Sequence, residues 1–230
     1  RAIAAMPVAG SYRSIDFALS NMANSHIQKV AVLTQYNARS LNEHLSSSKW
    51  WDFGRKQGGL FVFPPTITKD NSLWYQGTAD AIYQNIDFLK KSHEPYVVIA
   101  SGDCVYKMDY NKVLDFHISK RADITVVCTT CKDQSEVERF GVVRMNDDCR
   151  IEEFEEKPIV SNYNTISTGI YVIRRRQLIE LLERAAQEGR HDFVNDILIR
   201  YKNLKRIYGY KIDTYWSNIS TAEAYYRTNI

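Results

Sequence analysis

The chain has 230 residues, of which 44% are apolar and 25% are charged, and this composition is typical of a globular protein with a sizeable core. The formal net charge is only +3 and the charges are interspersed, so we expect no nucleic-acid partner. The longest apolar runs have the length of strands, so we expect no membrane span. The opening segment does not resemble a signal peptide.

Segments with a strand pattern alternate with segments of helical period, which is typical of an α/β fold. One helical face carries Ile15, Leu19 and Met22 at the spacing i, i+4, i+7. We expect a mixed, mostly parallel sheet with helices on both faces. Helices are predicted at 15–25, 41–45, 79–91, 112–120, 176–188, 191–203 and 221–228. Strands are predicted at 28–34, 60–63, 97–99, 123–131, 140–145, 150–154, 167–173 and 206–212.

The stretch from Tyr96 to Tyr110 combines a strand pattern with a carboxylate. Its apolar run ends at a Ser-Gly pair, which predicts a strand buried on both faces. Asp103 follows the carboxyl end of that strand, where open parallel sheets bind ligands. A buried charge needs a partner or a metal, so Asp103 is solvated, hydrogen-bonded by its own turn or facing a cation.

Two other stretches could bind phosphate. Gly77 and Thr78 stand at a predicted helix start, where free backbone N–H groups suit an anion or a nucleobase edge. The alternative there is an ordinary N-cap. Lys157 follows two glutamates and precedes Pro158, and it could hold a phosphate as a point charge or belong to a solvated charge run.

The four cysteines are too few and too irregularly spaced for a disulfide framework, so we expect a reducing, cytoplasmic location. Cys128 and Cys131 form a Cys-x-x-Cys pair. A zinc or redox site would require a second ligand pair or a helix start after a strand. Because neither follows in the sequence, we interpret both cysteines as strand residues.

Several stretches, taken in order, identify a family. WYQGTADAIYQN, GDCVYKMDY, FGVV, FEEKP, STGIYV and YWSNISTAEAYY resemble ADP-glucose pyrophosphorylase (glucose-1-phosphate adenylyltransferase), one of the sugar-nucleotide transferases. The resemblance runs from Arg1 nearly to Ile230. It implies a Rossmann-like nucleotidyltransferase domain followed by a left-handed β-helix. Residues 1–230 correspond to the first domain alone, partial at its N-terminus because the first strand is absent, and without the β-helix.

The resemblance also implies roles for individual residues. In the family's reaction, glucose 1-phosphate attacks the α-phosphorus of ATP and pyrophosphate leaves. Asp103 matches the catalytic aspartate that holds Mg²⁺, and Asn218 stands at the position of a second metal-binding aspartate. Mg²⁺ is therefore expected only if the protein is active. Contacts to the sugar, phosphate or nucleotide are implied for Tyr75, Gly77, Thr78, Ala79, Gly102, Gly141, Glu156, Lys157 and Ser167.

The departures from the family pattern lie at charged and phosphate-facing positions. Asn218 replaces an aspartate, Cys104 a histidine, Ile3 a basic residue tied to effector binding, and Thr168 a methionine. The family's glycine-rich phosphate loop with its catalytic arginine does not occur in this sequence. This pattern resembles the family's non-catalytic companion, the glycogen-biosynthesis subunit of the GlgD type.

Three functions remain open from the sequence. In the first, Asp103 is vestigial and the protein is a regulatory subunit in a hetero- or homo-tetramer with a catalytic subunit, binding glucose 1-phosphate, ATP or ADP-glucose. In the second, it is an active adenylyltransferase that uses Asp103 and a shifted metal ligand. In the third, it is a binding module that senses a sugar phosphate or a nucleotide.

Overall fold

The computed structural model describes residues 7–8, 12–34, 43–45, 59–63 and 76–218. They fall into two compact units. Unit 1 comprises the described residues up to 63 together with 101–111 and 214–218, and unit 2 comprises residues 76–100 and 112–213. Among the helices of these described ranges, none is long and apolar enough to cross a membrane.

The elements follow one another along the chain in alternation. The strands are β1 (Pro7–Val8), β2 (Tyr12–Arg13), β3 (Lys29–Leu33), β4 (Gly59–Phe63), β5 (Tyr96–Ile99), β6 (Cys104–Tyr106), β7 (Ile124–Thr130), β8 (Gly141–Met145), β9 (Ile151–Glu156), β10 (Thr165–Arg174), β11 (Ile207–Ile212) and β12 (Trp216–Asn218). The helices are α1 (Ser14–Asn24), α2 (residues 43–45), α3 (Thr78–Gln84), α4 (Ile86–Lys90), α5 (Tyr110–Ser119), α6 (Arg175–Gln187), a 3₁₀-helix (Gln134–Arg139) and a π-helix (Val194–Ile199).

In unit 1, α1 packs on the parallel pair of β3 and β4. Ile15 and Leu19 of the predicted apolar face are buried there against Val30. On another side of α1, the buried amide of Asn21 donates to the carbonyl oxygen of Tyr106 at 3.0 Å and accepts from the backbone N–H of Met108 at 2.9 Å. One polar side chain thus fixes β6, the strand that directly follows Asp103.

In unit 2, six strands form one sheet in the order β11-β7-β10-β8-β9, with β5 also paired to β10. Residues 124–129 of β7 are all buried. Ile124 and Val126 pack in a core with α6 and the π-helix, while Thr125, on the opposite face, bonds His117 of α5 at 2.7 Å. Helices therefore cover both faces of this sheet, as predicted.

The α/β class is confirmed, but the prediction of mostly parallel strands is wrong for the described residues. Six of the eight strand pairings that they form are antiparallel, and only β3–β4 and β11–β7 are parallel. Three of the six antiparallel pairings involve β10, which runs antiparallel to β5, β7 and β8. An apolar run shows that a strand is buried and carries no information on its direction.

The strand before Asp103 also differs from the prediction. All four residues of β5 are only partly buried, and β5 pairs with β10 antiparallel through Tyr96 to Ile99. The predicted helix 79–91 is broken at Asn85, whose side chain donates to the carbonyl oxygen of Ala81 at 2.9 Å and so competes with the helical backbone. The predicted helix 221–228 and residues 41–42 of the predicted helix 41–45 lie outside the described residues, and residues 43–45 are helical.

Candidate functional site

Three of the predicted sugar-contacting residues come together on neighbouring strands of unit 2. Gly141 pairs with Glu156 across β8 and β9, and a Cβ atom built on Gly141 would lie 3.7 Å from Cβ of Ser167 on β10. The same Cβ would lie 2.7 Å from the ring of Phe154, far closer than carbon atoms pack. Gly141 is therefore required for the strands to approach at this point.

An irregularity in β10 sets the direction of Ser167. The register with β7 shifts between Ser167 and Tyr171, and Gly169 has a positive φ of 77°. The hydroxyl of Ser167 accepts from the backbone N–H of Gly169 at 3.2 Å, and buried Thr168 donates to the carbonyl oxygen of Val127 at 2.8 Å. Bulges of this kind re-aim side chains beside functional sites.

Glu156, the last residue of β9, and Lys157, which follows it, carry opposite charges and have different environments. Burial raises the pKa of the half-buried Glu156 carboxyl, the ammonium of Lys157 lowers it, and the carboxylate of Asp192 raises it. Lys157 is exposed and has a positive φ of 46°, while its backbone N–H donates to the carbonyl oxygen of Phe140 at 3.1 Å. A lysine in this conformation is strained, and such strain clusters at functional sites.

Sequence reasoning missed Tyr171 as a member of this group. Its side chain is buried, and burial raises the pKa of the hydroxyl. The neighbouring hydroxyl of Ser167 acts against this rise in pKa, and the charges of Glu156 and Asp192 add to it. A signal was available, because Ser167 and Tyr171 are four positions apart, and residues an even number of positions apart face the same side of a regular strand. The apolar run around Tyr171 instead indicated a core residue.

Asp192 also lies near the group, and its local role is structural. Its carboxylate accepts from the backbone N–H of Val194 at 2.9 Å and from the side chain of Asn195 at 2.7 Å. It therefore caps the start of the π-helical segment. The same cap brings its negative charge close enough to Glu156 and Tyr171 to affect both pKa values.

The helix start at Gly77 is capped by protein backbone. The amides of Ala79 and Asp80 donate to the carbonyl oxygen of His191 at 3.0 and 3.3 Å, and a Cβ on Gly77 would overlap that oxygen. The prediction that this start offers free N–H groups is therefore wrong for these two amides, because the chain at His191 approaches and satisfies them. Thr78 is exposed, and Tyr75 lies outside the described residues.

Asp103 belongs to unit 1, in the turn of Gly102 and Asp103 between β5 and β6. Its backbone N–H donates to the hydroxyl of Ser101 at 3.2 Å. Burial raises the pKa of its carboxyl. A cation next to a carboxylate would lower the pKa instead, and no cationic side chain of the described residues acts on Asp103 in this way.

Asn218 is brought next to Asp103 by strand pairing. β12 runs antiparallel to β6 with Asn218 opposite Cys104, and the Asn218 amide donates to the sulfur of Cys104 at 3.7 Å. Cys104 is buried, and burial together with the charge of Asp103 raises the pKa of its thiol to about 12. The thiol is therefore protonated at neutral pH and is a poor metal ligand.

This donor set does not fit the magnesium site that the family resemblance implies. Mg²⁺ is bound by carboxylates, phosphates and waters in octahedral geometry. Among the described residues around the β6–β12 pair, Asp103 supplies one carboxylate, Asn218 a neutral amide and Cys104 a protonated thiol. Within the described part of the chain, no three His, Cys, Asp or Glu side chains are grouped so that they could hold a metal ion.

Comparison with known proteins gives a consistent relationship along the chain. Residues 1–230 match the family model described as nucleotidyl transferase. The chain is similar to proteins named glucose-1-phosphate adenylyltransferase from Thermosipho melanesiensis and Clostridium novyi, each 41% identical, and from Thermotoga maritima, 40% identical, over 98% of this chain. It spans 55%, 60% and 54% of their respective lengths. Because the family model matches from the first residue to the last, the chain belongs to the nucleotidyl transferase family.

Proposed function

We propose that this protein is a glycogen-biosynthesis subunit of the GlgD type, which resembles glucose-1-phosphate adenylyltransferase and has little or no turnover of its own. It binds a sugar phosphate or nucleotide through unit 2 and modulates a catalytic partner within a hetero- or homo-tetramer. Residues 1–230 act in it as one nucleotidyltransferase-like domain. The observation that carries the proposal is Asn218, which faces the protonated thiol of Cys104 beside Asp103.

The reaction of the family explains why this observation matters. An oxygen of glucose 1-phosphate forms a bond to the α-phosphorus of ATP, and the bond to the β-phosphate oxygen breaks and releases pyrophosphate. Negative charge develops on the attacking and leaving oxygens and must be offset in the site. One carboxylate and a neutral amide, which are the donors that the described residues place here, hold a cation for this purpose poorly.

Binding of the sugar phosphate is supported by a different part of the molecule. Gly141, Glu156 and Ser167 converge in unit 2, and Lys157 adds an exposed ammonium next to them. A half-buried carboxylate and a hydroxyl suit the hydroxyl groups of a sugar, while the ammonium suits its phosphate. These residues do not depend on Asn218, so binding can persist where turnover is lost.

The test is a turnover assay of the purified protein with ATP, glucose 1-phosphate and Mg²⁺, followed by pyrophosphate release. We expect a rate far below the roughly 1 s⁻¹ at the lower end of typical enzymes. The double variant Asn218→Asp, Cys104→His restores the family's residues and should raise the rate. A wild-type rate of about 1 s⁻¹ or more, which the double variant does not increase, would refute the proposal.

The second candidate is an active adenylyltransferase that makes ADP-glucose and pyrophosphate with Mg²⁺ as cofactor. Its support is that Asp103, Lys157 and Ser167 all match the family pattern, and that relatives at about 40% identity carry the name of that enzyme. The remaining alternative is a binding module that senses a sugar phosphate or a nucleotide. Calorimetric titration with ATP and with glucose 1-phosphate tests it against the other two functions. Binding of one ligand without turnover, in the presence and absence of a catalytic partner, would indicate a binding module.

A further inference from the structure

A cleft in unit 2 is lined by an excess of positive charge. It has a volume of about 710 Å³, within the range of small-molecule sites. Four cationic side chains and two acidic ones line it, which gives a formal excess of two positive charges. These six residues are Arg121, Arg174, Arg176, Lys205, Asp123 and Glu180.

The cleft lies away from the candidate sugar site. Arg174 is the last residue of β10, and Arg121 and Lys205 precede β7 and β11. Ser167 lies near the other end of β10, seven residues before Arg174, which corresponds to roughly 20 Å along a strand. A ligand in the cleft would therefore occupy the opposite end of the same sheet.

The cations of the cleft lack the ion pairs that neutralise other cations of unit 2. Lys90 pairs with Glu183 at 2.8 Å, and Lys120 pairs with Asp148 at 2.7 Å. Among the residues that the structure describes, no salt bridge or side-chain hydrogen bond is formed by Arg121, Arg174, Arg176 or Lys205. Uncompensated charge of one sign in a concave surface concentrates the electric field and attracts counter-ions.

Asp123, one of the two acids, already accepts hydrogen bonds from other residues of the protein. Its two carboxylate oxygens accept from the side chain of Gln177 at 3.1 Å and from the backbone N–H of Arg206 at 2.7 Å. Arg174 is held at the wall of the cleft, with its guanidinium 5.8 Å from the ring centre of Tyr96. Such stacking orders a guanidinium while leaving its N–H groups available to a ligand.

We propose that this cleft binds a small, soluble, phosphate-bearing anion at a second site. Guanidinium groups match phosphate oxygens in pairs of charge-assisted hydrogen bonds, and two arginines flanking residue 175 bring two such groups to one wall. Binding at this site does not depend on turnover or on the sugar contacts of Glu156 and Ser167. This proposal therefore does not depend on the proposed regulatory role.

The test is calorimetric titration of the purified protein with pyrophosphate at fixed ionic strength. The variant Arg174→Gln, Arg176→Gln should weaken binding at least about tenfold, since each lost arginine removes charged hydrogen bonds. The charge-matched control Lys112→Gln, Arg184→Gln alters two exposed cations outside the cleft and should bind as wild type does. Lys157→Gln removes the phosphate-facing ammonium of the sugar site and should retain the cleft binding.

A second measurement covers the case in which the double variant does not fold. Phenylglyoxal modifies accessible arginines of the wild-type protein, and peptide mass spectrometry should show that pyrophosphate protects Arg174 and Arg176. The proposal is overturned if pyrophosphate does not bind at millimolar concentration or protects neither arginine. It is also overturned if binding is lost only in Lys157→Gln, falls equally in the charge-matched control, or is equally strong for the dicarboxylate succinate.

Discussion

At the scale of single residues, we expect a substitution of Lys157 to change ligand binding more than the free energy of unfolding. Its backbone is in the left-handed region with φ 46°, which costs a non-glycine residue about 1–2 kcal/mol. Glycine relieves that strain but loses about 0.5–1 kcal/mol through its freedom in the unfolded chain. We expect Lys157→Gly to leave the free energy of unfolding within about 1 kcal/mol of wild type and to weaken glucose 1-phosphate binding about tenfold or more.

Urea unfolding and calorimetry measure the two effects of Lys157→Gly. His26→Gly is the matched control, because His26 is also exposed with a positive φ, of 63°, and lies outside both the sugar site and the cationic cleft. It should show the same small change in stability with unchanged glucose 1-phosphate binding. If Lys157→Gly bound the sugar phosphate as tightly as wild type, the role assigned to the ammonium would be wrong.

His117 makes stability depend on pH in a known direction. Burial lowers the pKa of its imidazole to about 4, with Arg174 acting in the same direction and Asp123 against it. In the unfolded chain a histidine takes up its proton near pH 6.5. Between about pH 6.5 and 4 the unfolded state therefore binds more protons, so stability is complete above this window and falls as the pH falls through it.

The variant His117→Gln tests this dependence, because glutamine does not titrate. Wild type should lose up to about 2 kcal/mol relative to the variant between pH 7 and pH 4.5, in addition to a constant difference from the hydrogen bond to Thr125. Urea unfolding at several pH values gives the two curves. Parallel curves across this window would show that the imidazole is protonated in the folded protein.

At the scale of elements, two strand glycines differ in the side chain that a Cβ atom would meet, which is rigid for one and flexible for the other. A Cβ on Gly141 of β8 would press on the buried ring of Phe154, whereas a Cβ on Gly209 of β11 would meet the side chain of Met145. Overpacking against a fixed core costs about 1–3 kcal/mol, while methionine adapts its rotamer. Thermal unfolding should show that Gly141→Ala is the more destabilising substitution, and equal losses would contradict this account.

Elements with a strong local pattern could be predicted from the sequence. The helix from Arg175 to Gln187 was predicted one residue late. The strands predicted at 140–145 and 150–154 occur as β8 and β9, with bounds that differ by at most two residues. β6 and β12 were not predicted, since each has three residues and exists through pairing between positions more than 100 residues apart. Such strands have no periodicity of their own to detect.

The candidate site was predictable to a smaller extent. The resemblance identified Gly141, Glu156 and Ser167, and the structure brings these three together. Spacing in the sequence could not do so, because the three lie on separate strands. The backbone cap at Ala79 depends on His191, more than 100 residues away, and the burial that raises the pKa values of Asp103 and Cys104 depends likewise on distant segments.

At the scale of the whole molecule, the residues proposed for sugar-phosphate binding and those proposed for the metal site belong to different units. The candidate sugar contacts belong to unit 2, and Asp103 with Asn218 belongs to unit 1. The changes that disfavour a metal ion lie in unit 1, whereas the grouping of Gly141, Glu156 and Ser167 in unit 2 is intact. A protein of this kind should bind its sugar phosphate without converting it.

Binding without conversion should appear as stabilisation of the whole molecule. A ligand present at 100 times its dissociation constant stabilises the folded state by about 2.7 kcal/mol, and for a chain of this size each kcal/mol raises Tm by about 2–4 °C. Glucose 1-phosphate should therefore raise Tm by roughly 5–10 °C in the absence of ATP, measured by differential scanning calorimetry. Ser167→Ala should reduce the shift, and Ser119→Ala, which alters an exposed serine at the end of α5, should preserve it. An unchanged Tm in wild type at millimolar ligand would show that the protein does not bind glucose 1-phosphate. The same shift in both serine variants would show that the sugar phosphate binds elsewhere. Either result would leave the grouping on β8, β9 and β10 without that role.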